Sequence, residues 1–321
     1  MNTLRVVFMG TPEFAAYILD DLIANNVNVV GVVTAPDRPA GRGQLTKSSE
    51  VKEVALKKNI PLVQPADLKE VSFLETLTRW NADVFAVVAF RMLPKAVWSI
   101  PSGGTFNLHA SLLPDFRGAA PIHRAIMAGC KETGLTTFFI DEKMDTGAII
   151  EQVRMEIGPD ENVGHLHDRM KVLGAMLIRS TLEKIAEGKV NPIEQEPLIK
   201  GMERLAPKLF KENCRIDWEQ SVQEVHNFVR GLSPFPAAWT ILEFKDKDVR
   251  ISFKLLAGKK TNLPIEEPGK IKKMDYSMLV PCSDFYFEVT ELQPEGKRRM
   301  LSKEFLAGNA LDACFLSDKK P

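Results

Sequence analysis

The sequence predicts a doubly wound α/β domain with a mainly parallel sheet, followed by a smaller all-β domain built as a barrel or sandwich. Three observations lead there. From Leu4 to about Ala186, continuous Val/Ile/Phe runs alternate with amphipathic helical stretches, the pattern of a parallel sheet covered on both faces. Near residue 200 the style changes to short strand-like runs punctuated by Gly, Pro and Asp. A length of 321 residues, at roughly 150 per domain, also points to two domains, each able to bury a core without a disulfide or metal staple. The expected boundaries are a first domain over 1–189, a linker over 190–207 and a second domain over 208–321.

Taken in order, Leu4–Met9 reads as a buried strand. Thr11-Pro12-Glu13 then starts a helix running to about Asn25, with Thr11 as cap, a proline at the first position and an acid near the dipole. Further strands are expected at Val27–Thr34, Val84–Ala89, Thr105–His109, Thr136–Phe139 and Ala148–Ile157. Helices are expected at Ser49–Asn59, Leu68–Trp80, Pro121–Ala128 and Val163–Glu187. The Pro-, Glu- and Gln-rich stretch after Asn191 reads as the linker. Ser221-Val-Gln-Glu224 is a capping box ahead of an apolar-periodic run to Leu232, which Ser233-Pro-Phe-Pro236 ends. Strands follow at Ala237–Phe244, Val249–Ala257, Tyr276–Pro281 and Phe285–Leu292.

Composition removes several classes of protein. Hydrophobic residues at 45% and charged residues at 26% are those of an ordinary globular chain. Lys+Arg and Asp+Glu both number 42, and a net charge of zero excludes indiscriminate, charge-driven binding to nucleic acid. Zero is an average, however. Residues 1–206 hold 23 basic and 25 acidic side chains, while the remainder clusters its positive charge at Lys259-Lys260, Lys270, Lys272-Lys273 and Lys297-Arg298-Arg299. Cys130, Cys214, Cys282 and Cys314 form no CxxC pair, so they read as buried or incidental thiols of a reducing compartment. The N-terminus lacks the pattern of a signal peptide and no apolar run approaches the roughly 20 residues of a bilayer span, so a cytoplasmic protein is expected.

In an open α/β sheet, ligands gather at the carboxyl ends of the strands. Two such ends carry unusual residues here. In Thr105-Phe-Asn-Leu-His109 the side chains of Asn107 and His109 share one face of an apolar strand, a placement that demands partners. In Met144-Asp-Thr-Gly147 a tight loop presents Asp145; alone, such an Asp more often builds an Asx turn. Together the three suit acyl transfer to an amine. An amide N–H and an imidazolium can hold a developing oxyanion, and a His–Asp pair can move the proton lost by the incoming amine. An activated acyl donor makes a Ser or Cys nucleophile unnecessary, and no cluster has metal-ligand spacing, so no metal is expected. Gly41-Arg-Gly43 is a weak dinucleotide signal, and His165 and His167 point to different helix faces, which speaks against a metal pair.

Asn107-Leu-His-Ala-Ser-Leu-Leu-Pro114, then Arg117-Gly118 and Ala120-Pro121, then Asp145-Thr-Gly147 some 36 residues after the His, resemble the signature of folate-dependent formyltransferases. Phe8-Met-Gly-Thr-Pro-Glu-Phe14, Thr34-Ala-Pro-Asp-Arg-Pro-Ala-Gly-Arg-Gly43, Arg215-Ile-Asp-Trp218 and Ser233-Pro-Phe-Pro236 extend the resemblance over nearly the whole chain. They narrow it to the branch whose acceptor is the α-amine of methionine on initiator tRNA. The resemblance implies an OB-like barrel for the second domain and a 10-formyltetrahydrofolate donor beside Ser111, Leu112, Leu113 and Pro114 and the Val87–Arg91 loop, including Phe90. It implies that Asn107 bonds the formyl oxygen, His109 stabilises the intermediate, and Asp145 orients His109. It further implies that tRNA is gripped by Arg38, Arg42 and Lys47, to which the basic clusters add Lys272, Lys297 and Arg298, with a monomer sufficing. Three departures from the family pattern stand out. Arg91 replaces part of an aromatic-Gly pair, Gly43-Gln-Leu-Thr carries fewer lysines than many relatives, and His123 stands at a position expected to hold Gln. Two other readings compete: formyl transfer to a nucleotide amine, a sugar amine or water, and a non-catalytic RNA binder that uses the barrel alone.

Overall fold

The computed structural model describes residues 4–40, 45–246, 248–311 and 313–317, and the chain divides into two compact units. The first comprises residues 1–121, 132–156 and 167–207; the second comprises 122–131, 157–166 and 208–321.

In the first unit, seven strands form one sheet: β1 (Val6–Gly10), β2 (Val29–Val33), β3 (Leu62–Val63), β4 (Val84–Val88), β5 (Thr105–His109), β6 (Glu132–Phe139) and β7 (Ile149–Glu156). Their order is β3-β2-β1-β4-β5-β6-β7, parallel through β5 and antiparallel at the last two pairings. The reversal of order between β1 and β4 makes the sheet doubly wound, as its continuous apolar strands require. Helices α1 (Glu13–Ala24), α2 (Glu50–Lys57) and α3 (Val71–Arg79) connect the parallel strands. Phe8, Phe85 and Phe106 lie fully buried at the centre, each contributing about 1.5–3 kcal/mol by leaving water. Ser49 caps α2 through the Lys52 N–H, as its sequence predicts. Helix α1 differs: Pro12, not Thr11, occupies the cap, and its carbonyl accepts from Ala15 and Ala16 while no side chain caps the turn.

Between β2 and α2 the chain forms a two-stranded ribbon, Arg38–Ala40 against Leu45–Lys47. Its base is fastened by Asp37, which accepts from Lys52 and Gln64; the Lys52 ammonium foremost, then the Gln64 amide, hold this carboxyl below its usual range. Residues 190–207, read from sequence as a linker, run back over the first unit. Ile193 and Ile149 exchange two backbone bonds, and Ala206 bonds the Arg117 carbonyl.

The second unit gathers β8 (Ala238–Phe244), β9 (Val249–Pro264), β10 (Lys272–Met274), β11 (Ser277–Pro281), β12 (Phe285–Pro294), β13 (Met300–Leu301) and β14 (Cys314–Leu316) in the path β10-β11-β12-β9-β8-β14, with β13 on β12. The two ends of that path meet. Lys270 bridges Phe315, and the N–H groups of Ile271 and Leu316 donate to Cys314 and Gly269. The antiparallel sheet therefore closes on itself, which satisfies its edges and makes it a small barrel rather than a sandwich. Phe253, Phe287, Leu242 and Val289 fill its interior. Helix α6 (Val222–Leu232), with both bonds of the Ser221–Glu224 capping box formed, packs on β9; α4 (Pro121–Met127) and α5 (Val163–Ala186) begin near the unit boundaries. Residues 157–166 belong here because Arg230 of α6 reaches the carbonyls of Gly158 and Glu161, at 3.3 and 2.9 Å.

Candidate active site

Asn107 and His109 come from consecutive same-face positions at the carboxyl end of β5, as the period-2 pattern requires. Asn107 is half-buried, and among the described residues no hydrogen bond engages its side-chain amide. That leaves two donors and an acceptor open at the strand end. His109 is 6% exposed. Its Nε2 donates to the Phe116 carbonyl at 2.9 Å, so Nδ1 is the nitrogen left over. Nδ1 faces Asp145 Oδ2 across 3.8 Å, too far for a direct hydrogen bond and close enough for a strong charge interaction.

Asp145 sits in the left-handed region at φ 56°, an excursion that costs an L residue about 1–2 kcal/mol. The Asx role in this turn falls to Asp141, whose carboxylate accepts from the Lys143 N–H and the Thr146 hydroxyl. The Asp145 carboxylate is thereby spared for the site, where Oδ2 also accepts from the Gly118 N–H at 2.9 Å. Gly147 has no alternative: a Cβ there would lie 1.7 Å from the Phe139 carbonyl oxygen. The loop Ser111–Pro114 is fixed from below. Thr136 accepts from the Leu113 N–H and donates to the Ser111 carbonyl, while Gln152 donates to the Leu113 carbonyl and to Thr136.

The other expected folate contacts divide by exposure. Val87, Ser111 and Leu113 are buried, whereas Phe90, Leu112 and Pro114 keep partly open side chains. Ala89 between them is exposed and left-handed at φ 46°. Arg91 turns back onto its own unit, donating to the carbonyls of Pro65 and Ala66 with its guanidinium 5.6 Å from the Phe90 ring centroid. The departure from the family pattern thus fastens the loop.

Of the cations expected to hold nucleic acid, Arg38 and Lys47 face each other in the ribbon's backbone register, and Arg42 lies outside the described residues. Lys272 is paired with Glu266 at 2.7 Å, which raises its pKa, and Arg298 is paired with Glu304 at 2.7 Å. Lys297 is exposed in the turn after β12. Exposed pairs of this kind are weak, because both ions keep much of their water. His123, in the second unit, donates from Nδ1 to the Gly231 carbonyl at 2.8 Å.

Glu13, His167 and Asp168 are the one group of possible metal ligands among the described residues, and the Lys171 ammonium already sits against both carboxylates, at 2.8 and 3.0 Å. Cys282 and Cys314 are pushed up to about 12 by burial and Cys214 is raised in the same way, so these thiols are poor nucleophiles. Sequence reasoning missed Gln195, Thr136 and Gln152 as supports of the site. Thr136 and Gln152 look like ordinary strand residues, and Gln195 sits in a stretch whose composition reads as linker.

The carboxyl edge of this sheet is equipped for acyl transfer to an amine. It offers an open amide for a developing oxyanion and an imidazole backed by a carboxylate for the proton. The chain belongs to the formyl transferase family: residues 4–182 match formyl transferase, and residues 208–310 match the formyl transferase C-terminal domain. The methionyl-tRNA formyltransferase of Flavobacterium johnsoniae is 50% identical over 309 residues, covering 96% of this chain and 97% of that one. The protein of the same name from Bacteroides thetaiotaomicron is 46% identical over 310 residues, or 95% of each chain. Among solved structures, WlaRD, a sugar 3N-formyl transferase crystallised in the presence of dTDP and 5-N-formyl-THF, aligns with a TM-score of 0.64 at 18% identity. It covers 93% of this chain and 100% of that one, a likeness of fold alone. No helix of the described residues is long and apolar enough to cross a membrane.

Proposed function

We propose that the protein transfers the formyl group of 10-formyltetrahydrofolate to the α-amine of methionyl initiator tRNA, producing the formylmethionyl-tRNA of cytoplasmic translation initiation. The observation that carries this reading is the 50% identity, over 96% of the chain, to a relative named for that acceptor. The basic residues of the ribbon, Arg38 and Lys47, agree with it; the barrel does not discriminate, because the sugar 3N-formyl transferase aligns over 93% of this chain.

The residues at the strand ends fit a folate co-substrate: an unengaged amide at Asn107, an open left-handed backbone at Ala89, and partly exposed Phe90, Leu112 and Pro114 to lie against a flat ring. When bound, that co-substrate supplies a formyl group already activated on nitrogen. Asn107 donates its amide N–H to the formyl oxygen as negative charge grows there. His109, held at Nε2 by the Phe116 carbonyl, receives at Nδ1 the proton lost by the attacking amine, and the Asp145 carboxylate stabilises the resulting imidazolium. The same proton then goes to the departing folate nitrogen as the C–N bond breaks. One amide C–N bond forms and one breaks, so no net proton is taken up. Arg42 serves acceptor binding, and Arg42→Ala is expected to raise KM for tRNA more than KM for folate.

Incubating the protein with 10-formyltetrahydrofolate and methionyl initiator tRNA should yield formylmethionyl-tRNA and tetrahydrofolate in equal amounts. Tetrahydrofolate release with no acylated amine would point instead to water as acceptor and would remove the tRNA reading.

A further inference from the structure

Residues 190–207 lie between the two segments that match the formyl transferase family, yet in the first unit they close a hydrogen-bonded circuit around Asp145. We propose that Gln195 in this strap is a positioning residue for the transfer reaction: it grips the backbone of the Asp145 turn at the Asp145 and Gly147 carbonyls and so fixes the direction in which the carboxylate meets His109. The inference deepens the functional reading above and depends on it for its kinetic arm.

Gln195 is 1% exposed, which a residue of a free linker would not be. Its Nε2 donates to the carbonyls of Asp145 and Gly147, at 3.0 and 2.7 Å. Its Oε1 accepts from Nε and Nη2 of Arg117, at 3.1 and 2.8 Å. Every hydrogen-bonding position of the amide is therefore used. Arg117 spends its remaining terminal nitrogen on Glu203 of the same strap, at 2.7 Å. Next to Arg117 in the chain is Gly118, whose N–H holds the Asp145 carboxylate. Gln195 thus holds Asp145 twice, through its own backbone and through the loop that binds its side chain. The left-handed turn at Asp145 is unfavourable in isolation, and its own carboxylate does not fill the Asx role, which falls to Asp141, but accepts from Gly118 outside the turn. The strap is anchored outside this circuit by the Ile193–Ile149 pair and by Ala206 on Arg117 and Ala120, so it can resist movement of the turn.

The test uses two variants of the full chain. Gln195→Ala removes the whole amide. Gln195→Glu keeps the two acceptor positions for Arg117 and replaces the donors to Asp145 and Gly147, so it isolates the grip on the turn and stands in if the alanine variant does not fold. Each should lower kcat by about 10- to 100-fold, the cost of misplacing a catalytic group by a fraction of an ångström, with KM for both substrates changed less than about threefold. In an Asp145→Asn background the added loss should shrink to below about twofold, because the strap acts through that carboxylate. Amide exchange at Gly118 should speed up in both variants, whatever the activity. A full kcat loss that persists in the Asp145→Asn background, a loss confined to KM, or unchanged Gly118 exchange would overturn the positioning role. If the wild type itself formylates no tRNA, the functional reading falls, and the exchange measurement still decides whether the strap holds the turn.

Discussion

Asp145→Asn is the most informative single change, because it keeps the side chain's shape and an oxygen for the Gly118 N–H and removes only the charge facing His109. That charge lies 3.8 Å from Nδ1, with the two side chains 16% and 6% exposed. Unit charges at this distance interact by about 4 kcal/mol at an effective dielectric of 20. Partial exposure of Asp145 and a counter-dipole from the Gly118 N–H reduce what is lost to about 3 kcal/mol, or roughly 10²-fold in rate. In the proposed mechanism the charge on His109 develops as the amine gives up its proton, so the loss belongs in kcat, and KM for folate and tRNA should stay within about threefold. Single-turnover formylation with saturating 10-formyltetrahydrofolate and methionyl initiator tRNA measures it directly. A variant within about fivefold of wild type, or one whose defect lies wholly in KM, would refute the reasoning that Asp145 acts by stabilising charge on His109.

Four further outcomes are expected. Asn107→Ala should lower kcat by about 10²- to 10³-fold, as loss of an oxyanion donor does, while its melting temperature moves little because the amide has no partner among the described residues to abandon. Gly147→Ala should destabilise the first unit by about 2–3 kcal/mol or more in urea unfolding, since its Cβ would meet the Phe139 carbonyl at 1.7 Å. His226 is pushed down to about 4, mainly by burial and then by Arg230, so between pH 6.5 and 4 the unfolded chain binds a proton that the folded chain refuses. Stability should therefore fall as pH drops through that window, by about 2 kcal/mol at pH 5, and His226→Gln should flatten the dependence in urea titrations. Lys297→Ala should lower tRNA affinity and reduce the salt slope of binding by about one unit, more than Lys272→Ala, whose cation already has Glu266 as partner.

Much of this was legible in the residues, and the gaps have physical causes. The buried runs Val6–Gly10, Val84–Val88 and Thr105–His109 announce parallel strands because both faces are covered, and the Ser221–Glu224 box announces α6 through two backbone donors. The Asn107–His109 pair was legible because period 2 puts two polar groups on one apolar face. The expected end of β9 at Ala257 failed at Gly258, which looks like punctuation; it is glycine because the Phe287 ring would lie 2.2 Å from any Cβ, and the strand continues to Pro264. Barrel closure by Cys314–Leu316 depends on a partner more than 40 residues away, a pairing that no local pattern encodes. Gln195 is the hardest case. Its role arises from three loops brought together by the fold, while its own neighbours, Glu194, Glu196 and Pro197, read as a solvated connector.

The central claim is the identity of the acceptor, and a competition among amines tests it most directly. Initiator methionyl-tRNA, elongator methionyl-tRNA and an amino-sugar nucleotide would be offered together with 10-formyltetrahydrofolate, and the formylated products separated and counted. Formylation of initiator methionyl-tRNA at a kcat/KM at least about 10²-fold above either competitor is the predicted result. Preferential formylation of the amino sugar, or equal use of all three, would contradict it.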